Sequence, residues 1–536
     1  MINVHIDDDI GDIDKDHAEY VLKTFFSIEG IPYKFCDKSN LANSVILHYG
    51  QDTGDFPEST SVVYIPYNPN SRKILDPKIK EKDNLLMISD DIISSAFFFL
   101  SREEEIDSER DEFGCYPAKN SILYSSLCRP VVNEYFEILS KAIKKCLEKQ
   151  NLPLIQKWYW PEGKKFAACL THDIDRIGKW PLPRSIYHLL RFLRYMDLKD
   201  ISQIFQSKDD FEGVRRVIEI EKRLGLKSTF FIRTTLEKRF SAAALYLISK
   251  FINIRSFSRI DAPGYDVASG QMREIIREIR DNGCEVGMHP SYKAHNNADQ
   301  MLFEKETLEG IIGEKIIGSR QHNLTFEVPT TWEIQDSIGL CYDTTLGFNE
   351  AVGFRAGISF PFYPYQRDIL EIPLTVMDTT VYHYLEYTIQ ESIHYITNLI
   401  DQTCKNFGLI TLLFHSDHFE QTEVCNAYTR ILEYLITKDA WITNCSEIFH
   451  WWENRNCVRF VEFNKWENHY RVTYKSDADI NDLSFNVRTI ISKDSMTKKI
   501  KVKTNVDFIL EEKRDAIWIL FKSIKRGEII HIDIDL

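Results

Sequence analysis

Between residues 164 and 452 the sequence alternates two textures, and that alternation limits the architectures open to it. Short apolar or β-branched runs stand at 166–170, 228–232, 284–288, 315–318, 409–414 and 440–444. Between them lie stretches whose apolar residues recur at helical spacing, at 211–224, 271–282, 299–312, 388–407 and 424–437. Gly225 and Gly283 stand where the first two of those helices should stop. Strands alternating with helices imply parallel pairing through right-handed crossovers. The expected fold class is α/β, a distorted (β/α) barrel of seven or eight units over residues 158–452.

Parallel strands share a carboxyl end, so the residues that terminate each run decide the chemistry. The run 166–170 ends in Thr171-His172-Asp173-Ile174-Asp175. Two carboxylates two residues apart on an extended segment point the same way. Alone, such a segment is an Asp-rich turn capping the next helix. Its sister runs end in His289, in Arg320 with His322, and in His415. Four such ends on one rim suggest a divalent metal held by one Asp and two His, with a second Asp as base and a separate His as acid.

These motifs resemble the polysaccharide deacetylases with a NodB-type domain (carbohydrate esterase family 4), over roughly residues 158–452. The family opens with a T-F-D-D motif whose first Asp is the base and whose second binds metal. THDID looks like a D-x-D variant, which implies Asp173 as base and Asp175 as ligand. Glu285-Val286-Gly287-Met288-His289-Pro290-Ser291-Tyr292 matches the first half of the family's H-[ST]-x-x-H motif, but Lys293 stands where its second histidine belongs. Two residues could replace it: His295, six residues after His289, or His322 in Gly318-Ser319-Arg320-Gln321-His322, which is preferred because it sits at a strand end. That segment resembles the family's third motif, in which Arg320 would orient the base. Leu412-Leu413-Phe414-His415 resembles the strand that carries the general-acid histidine, and residues 227–232 resemble the second core strand.

The resemblance implies a hydrolase that removes an N- or O-acetyl group from a saccharide, a glycan or a surface-polysaccharide precursor, with one divalent metal, Zn²⁺ as the expected ion. Two alternatives stay open. One is hydrolysis of a non-sugar linear or cyclic amide on the same fold; the other is a degenerate, non-catalytic carbohydrate-binding barrel, for which Lys293 speaks. Arg355, in Gly353-Phe354-Arg355-Ala356-Gly357, could neutralise an anionic substrate group or anchor a loop. Asp343 reads as a turn residue. His172 should oppose Asp173 and Asp175 and so belong to the core. His383 and His418, near the rim, are structural or substrate-lining.

The 536 residues exceed one ordinary core, so flanking domains are expected: an accessory α/β domain over 1–150 and a small β-sandwich over 456–536. The first shows helical patterning at 16–26 and 133–150 and strand-like runs at 44–48 and 61–65; its His and Asp residues are scattered, without catalytic spacing. The second shows β-rich runs at 457–463, 469–474, 483–491, 499–506, 517–521 and 529–534. Net charge of −14 argues against a nucleic-acid partner and against anionic membranes. No apolar run approaches the ~20 residues of a membrane span. Eleven cysteines without a C-x-x-C pair fit buried thiols, and the acidic amino terminus is unlike a secretory signal, so a cytoplasmic location is expected.

Overall fold

The computed structural model describes residues 1–37, 44–175, 211–234, 265–467, 469–488, 500–504, 506–513 and 516–535. The strand-like runs at 483–491 and 499–506 lie partly outside these described residues.

The amino-terminal part forms a six-stranded sheet. Its elements are β1 (Ile2–Ile6), α1 (Asp12–Glu29), β2 (Tyr33–Phe35), β3 (Val45–Gly50), β4 (Ser61–Pro66), β5 (Ile79–Lys82), β6 (Leu85–Ile88), α2 (Ile92–Leu100) and α3 (Val131–Lys149). The strand order is β2-β1-β3-β4-β6-β5, parallel except for β5 against β6. Helix α1 buries Ala18, Val21, Leu22, Phe25 and Phe26, a stripe at helical spacing, and stops at Gly30 in the left-handed conformation. Helix α2, capped by the Asp91 carboxylate, is the densest apolar run of the chain and is buried nearly all round. Its apolarity therefore serves the core. Among the described residues no helix is long and apolar enough to cross a membrane.

The central part begins, after β7 (Leu154–Lys157), with β8 (Phe166–Ile174). There follow α4 (Glu212–Arg223), β9 (Thr229–Arg233), α5 (Gly270–Asp281), β10 (Glu285–His289), α6 (Ala298–Ile312), β11 (Gly318–Ser319), α7 (Thr330–Ser337), β12 (Tyr342–Asp343), β13 (Leu370–Glu371), β14 (Val376–Met377), α8 (Ile389–Lys405), β15 (Leu409–Leu413), α9 (Thr422–Thr437), β16 (Ala440–Thr443) and α10 (Cys445–Cys457). The sheet runs β13-β12-β11-β10-β9-β8-β15-β14, with β16 also on β8, and every one of these pairings is parallel. It is a curled parallel sheet with its end strands unpaired to each other among the described residues, where a barrel of seven or eight units was expected. One edge of the long strand β8 pairs with β15, while the other is shared between β16, on residues 166–169, and β9, on residues 171–174. Strands β11 to β14 are two residues each, too short for sequence patterning to reveal more than one of them.

Seven strands follow: β17 (Val458–Trp466), β18 (His469–Ser476), β19 (Ile480–Arg488), β20 (Ile500–Thr504), β21 (Phe508–Lys513), β22 (Ala516–Ile524) and β23 (Ile529–Asp535). They form two antiparallel four-stranded sheets, β17-β18-β23-β20 and β21-β22-β19-β7, which meet where the Tyr474 and Phe485 rings lie 4.8 Å apart. The edge strand β7 comes from the segment before β8, which the sequence presents only as a Pro- and Gly-punctuated break.

Two buried arginine clusters tie these parts together. Arg455, at the end of α10, donates to the carbonyls of Ser27, Ile28, Lys157 and Trp158 and lies over the Trp452 ring. It thereby satisfies the carboxyl end of α1 and the approach to β8 at once; burial lowers its pKa to about 10 against the pull of Tyr159 and Glu29. Glu105, fully buried, receives bidentate Arg355 at 2.9 and 2.5 Å and Arg102 at 2.8 Å. Burial raises the pKa of Glu105, but the two guanidinium groups outweigh it and bring the group down to about 2. A carboxylate depressed in the folded state stabilises above its usual value of 4.5, and that contribution fades as pH falls toward 2. Glu105→Gln leaves two buried cations short of a partner and is expected to cost about 3–5 kcal/mol at neutral pH. Urea unfolding should show the gap between variant and parent closing between pH 4.5 and the acid limit; a gap independent of pH would refute this account.

Candidate active site

All nine residues of β8 are buried. Alternation therefore sorts its polar residues by face. His172 points outward, where its Nδ1–H donates to the Phe414 carbonyl at 2.8 Å and its Nε2 meets the Glu221 carboxylate of α4 at 2.9 Å. Thr171 and Asp173 point inward, and Asp175 follows just past the strand end. The structure thus places His172 in the core.

Inside, Asp175, His289 and His322 converge. His289 Nε2 is 3.1 Å from Asp175 Oδ1, and His322 Nε2 is 3.7 Å from the same oxygen. Asp175 Oδ1 and His289 Nε2 are buried and lack a hydrogen bond of acceptable geometry. Two buried polar atoms facing one another without bonding are costly unless something sits between them. Ligands at ~2.0–2.1 Å from a tetrahedral ion stand about 3.4 Å apart, close to the observed edges. The donor set of one carboxylate and two imidazoles fits a divalent transition ion. Burial works against the Asp175 charge, but the two histidines prevail and hold its pKa well below the carboxylate range. His289 Nδ1–H donates to the Arg320 carbonyl at 2.5 Å, which fixes Nε2 toward this point.

His322 lies in the turn after β11, where Asn323 and Leu324 take φ of 56° and 50°. This left-handed turn is held from two sides: the Asn323 carbonyl accepts from Asn349 Nδ2 at 2.8 Å and from the Cys115 thiol at 3.3 Å. His295, the other expected possibility, turns elsewhere; its Nδ1–H donates to the Tyr292 carbonyl at 2.5 Å and its Nε2 is 3.9 Å from Glu327. Lys293 is exposed.

Arg320 is fully buried and reaches Asp173 Oδ1 at 3.2 Å, Thr171 Oγ1 at 2.6 Å and the Thr344 carbonyl at 3.0 Å. Its guanidinium lies 4.7 Å from the Phe231 ring centre. Gly287 permits that platform, since a Cβ there would stand 2.5 Å from the Phe231 ring. The other carboxylate oxygen of Asp173 is 3.5 Å from His289 Nε2. Asp173 is thus clamped by a cation on one side and faces the convergence point on the other.

A second acid–imidazole group lies across the cavity, and its acid escaped the sequence reading. Asp378 is fully buried and accepts from His415 Nδ1 and from His418 Nδ1, each at 2.6 Å, and from the His415 backbone N–H at 2.8 Å. Contacts of 2.6 Å are too short for two ligands of one ion and fit charge-assisted hydrogen bonds. Burial disfavours ions here, yet the pair prevails in both directions: the Asp378 pKa falls below the carboxylate range, while that of His415 rises to about 10. His418 is raised as well, by the same carboxylate against burial. With Nδ1 committed, His415 turns Nε2 toward Asp175 Oδ2, 3.7 Å away. A signal existed: Leu374-Thr375-Val376-Met377 ends in Asp378 as the other runs end in their polar residues. Pro373 and the brevity of β14 obscured it.

Asp173, Asp175, His289, His322, His415 and His418 line one cavity of about 310 Å³, which His383 and Tyr384 also border. Arg355 is not among its walls. The expectation of a substrate-binding role is corrected: Arg355 is 1% exposed and spends its guanidinium on Glu105 and the Gly347 carbonyl, so it anchors a loop. Asp343 is also buried, accepting from Ser319, Gln335 and Thr345.

Residues 12–148 match a family described as being of unknown function, DUF7033. No curated protein matches the chain. Among solved structures, a protein from Mycobacterium smegmatis named as a polysaccharide deacetylase aligns at 16% identity and a TM-score of 0.38, over 57% of this chain and 97% of its own. Puue allantoinase aligns at 14% identity and a TM-score of 0.37, over 55% of this chain and 91% of its own. A protein from Pseudomonas aeruginosa PAO1, also named as a polysaccharide deacetylase, aligns at 14% identity and a TM-score of 0.36, over 55% of this chain and 92% of its own.

Proposed function

We propose that the chain is a metal-dependent deacetylase that removes an N- or O-acetyl group from a saccharide, with Asp175, His289 and His322 as the metal ligands. The observation that carries this reading is the division of labour around one cavity. Three ligand atoms meet at a point, a carboxylate held by a cation stands on one side, and an imidazole held by an anion stands on the other. Asp175, His289 and His322 would hold a divalent ion, Zn²⁺ by their donor set, which would supply Lewis acidity and a more acidic water. Asp173, clamped by Arg320 at 3.2 Å, takes the proton of the attacking water. His415, kept protonated by Asp378, delivers a proton from Nε2 to the departing nitrogen or oxygen as the acyl bond breaks. Acetate and the free amine or alcohol leave. The saccharide substrate rests on the motif resemblance alone; the acid, the base and the ligand set would equally serve a linear or cyclic amide.

Metal analysis of the purified chain should find about one ion bound through His289, Asp175 and His322, and His289→Ala should remove it. Retention of that metal would overturn the ligand set, and a parent chain that binds none would favour a non-catalytic barrel. Asp173→Asn should keep the metal while turnover of an acetylated saccharide falls by about 10²–10⁴; near-normal acetate release would remove Asp173 from the role. Product analysis separates the amide alternative, through ammonia or an opened ring in place of acetate.

The acid has its own signature. Since His415 must be protonated to act, activity should be lost on the alkaline side, as pH rises toward about 10. Asp378→Asn takes away the chief cause of that elevation and should move the alkaline limb down toward the ordinary histidine value of 6.5 with metal content unchanged. An unmoved limb would show that another group sets it.

A further inference from the structure

His418 has no part in the steps above, yet it is held as firmly as the acid. Asp378 is forked: one oxygen accepts from His415 Nδ1 and the other from His418 Nδ1, each at 2.6 Å. One imidazole on a buried carboxylate is enough for a general acid, so the second has a separate use. The turn Ser416–Glu420 sets it there: the His418 N–H donates to the His415 carbonyl at 3.1 Å, and the two rings stand 5.6 Å apart on one wall. His415 Nε2 comes within 3.7 Å of Asp175, whereas His418 makes no ion pair with that carboxylate. His418 therefore stands further from the point where the ligand atoms meet, on the side of the group that departs. Its Nδ1 is spent on Asp378, and its Nε2 has no hydrogen-bond partner among the described residues. The side chain, 18% exposed, lines the cavity.

Two neighbours complete this part of the wall. Asp417 also lines the cavity, and its carboxylate makes no hydrogen bond or ion pair among the described residues. A hydroxyl group both donates and accepts, so a carboxylate beside a donating imidazole matches it. Thr380–Tyr384 forms one turn of π-helix, closed by the Leu385 N–H on the Thr380 carbonyl at 2.9 Å. Such turns recur at functional sites because the added residue redirects side chains. Here Thr380 and Val381 are buried, while Tyr384 borders the cavity and is 51% exposed. An exposed aromatic face next to groups that can hold a hydroxyl is the surface a sugar ring needs, since such a ring is apolar on its C–H face and polar at its rim.

We propose that His418, Asp417 and Tyr384 form the subsite for the leaving group: its sugar ring lies against Tyr384, and His418 Nε2–H with the Asp417 carboxylate holds the hydroxyl beside the acetylated position. These residues determine specificity and touch none of the reacting atoms. The inference rests on the deacetylase reading and narrows it, because a simple linear or cyclic amide offers no hydroxyl for the pair to hold.

The test compares two acetyl compounds on the full, zinc-loaded chain: a trimer of N-acetylglucosamine, and p-nitrophenyl acetate, whose leaving group has no hydroxyl beside the acetylated atom. His418→Asn keeps an N–H near the place of Nδ1 for Asp378 and removes Nε2. It should lower the ratio of kcat/KM for the saccharide to that for the aryl ester by about tenfold, mainly through KM. Tyr384→Ala, at an exposed position where folding is not at stake, should move the ratio the same way. In the Asp173→Asn chain, where the trimer binds without being consumed, adding His418→Asn should weaken its calorimetric affinity by about the same factor. A ratio and an affinity that both variants leave unaltered, or a parent chain that accepts the ester and not the saccharide, overturn the subsite while the deacetylase reading stands. A parent that hydrolyses neither compound overturns that reading, and the subsite with it.

Discussion

The constraint on which the site depends is the alternation of a single buried strand. With all of β8 inside the protein, each polar residue on it must find its partners on one face or the other. His172 is satisfied by Glu221 and the Phe414 carbonyl behind the sheet, and Thr171 and Asp173 by Arg320 in front of it. A slip of one residue would bring His172 against the guanidinium and leave Asp173 facing Glu221, two buried acids with nothing between them. The same pairing that fixes β8 between β15 and β9 therefore fixes which acid can serve as a base.

Around that strand the electrostatics are organised as two opposed clamps. Arg320 holds Asp173, and Asp378 holds His415, so the proposed base is next to a fixed positive charge and the proposed acid next to a fixed negative one. In a low-dielectric interior such pairings are strong enough to set protonation states against the cost of burial. The two clamps meet at Asp175, whose oxygens lie 3.1 Å from His289 and 3.7 Å from His415. That carboxylate is the hinge between the halves of the chemistry.

Much of this arrangement was legible in the sequence because it is written in local patterns. Runs of five residues or more, such as those ending near Asp173, His289 and His415, announce both a strand and its direction, and parallel strands then gather their ends. The preference for His322 over His295 came from the same rule. What stayed hidden is non-local or short. Asp378 follows a two-residue strand. Arg355 looks free in its GFRAG loop, because its partner Glu105 lies 250 positions away. The sharing of one edge of β8 between β16 and β9, and the pairing of β7 with β19, depend on registers that no window of sequence contains.

The turn that carries His322 has a further implication. Its two left-handed residues are braced partly by Cys115, and the next turn by Arg110, which donates to the Phe326 carbonyl at 3.0 Å. Both braces come from chain laid down before β8, and Glu105 reaches across the same boundary to hold Arg355. The portion of the protein that carries the proposed catalytic side chains is thus smaller than the portion needed to shape its cavity. Excised at that boundary, the curled sheet would keep every proposed catalytic side chain and lose part of the scaffolding that aims one of them.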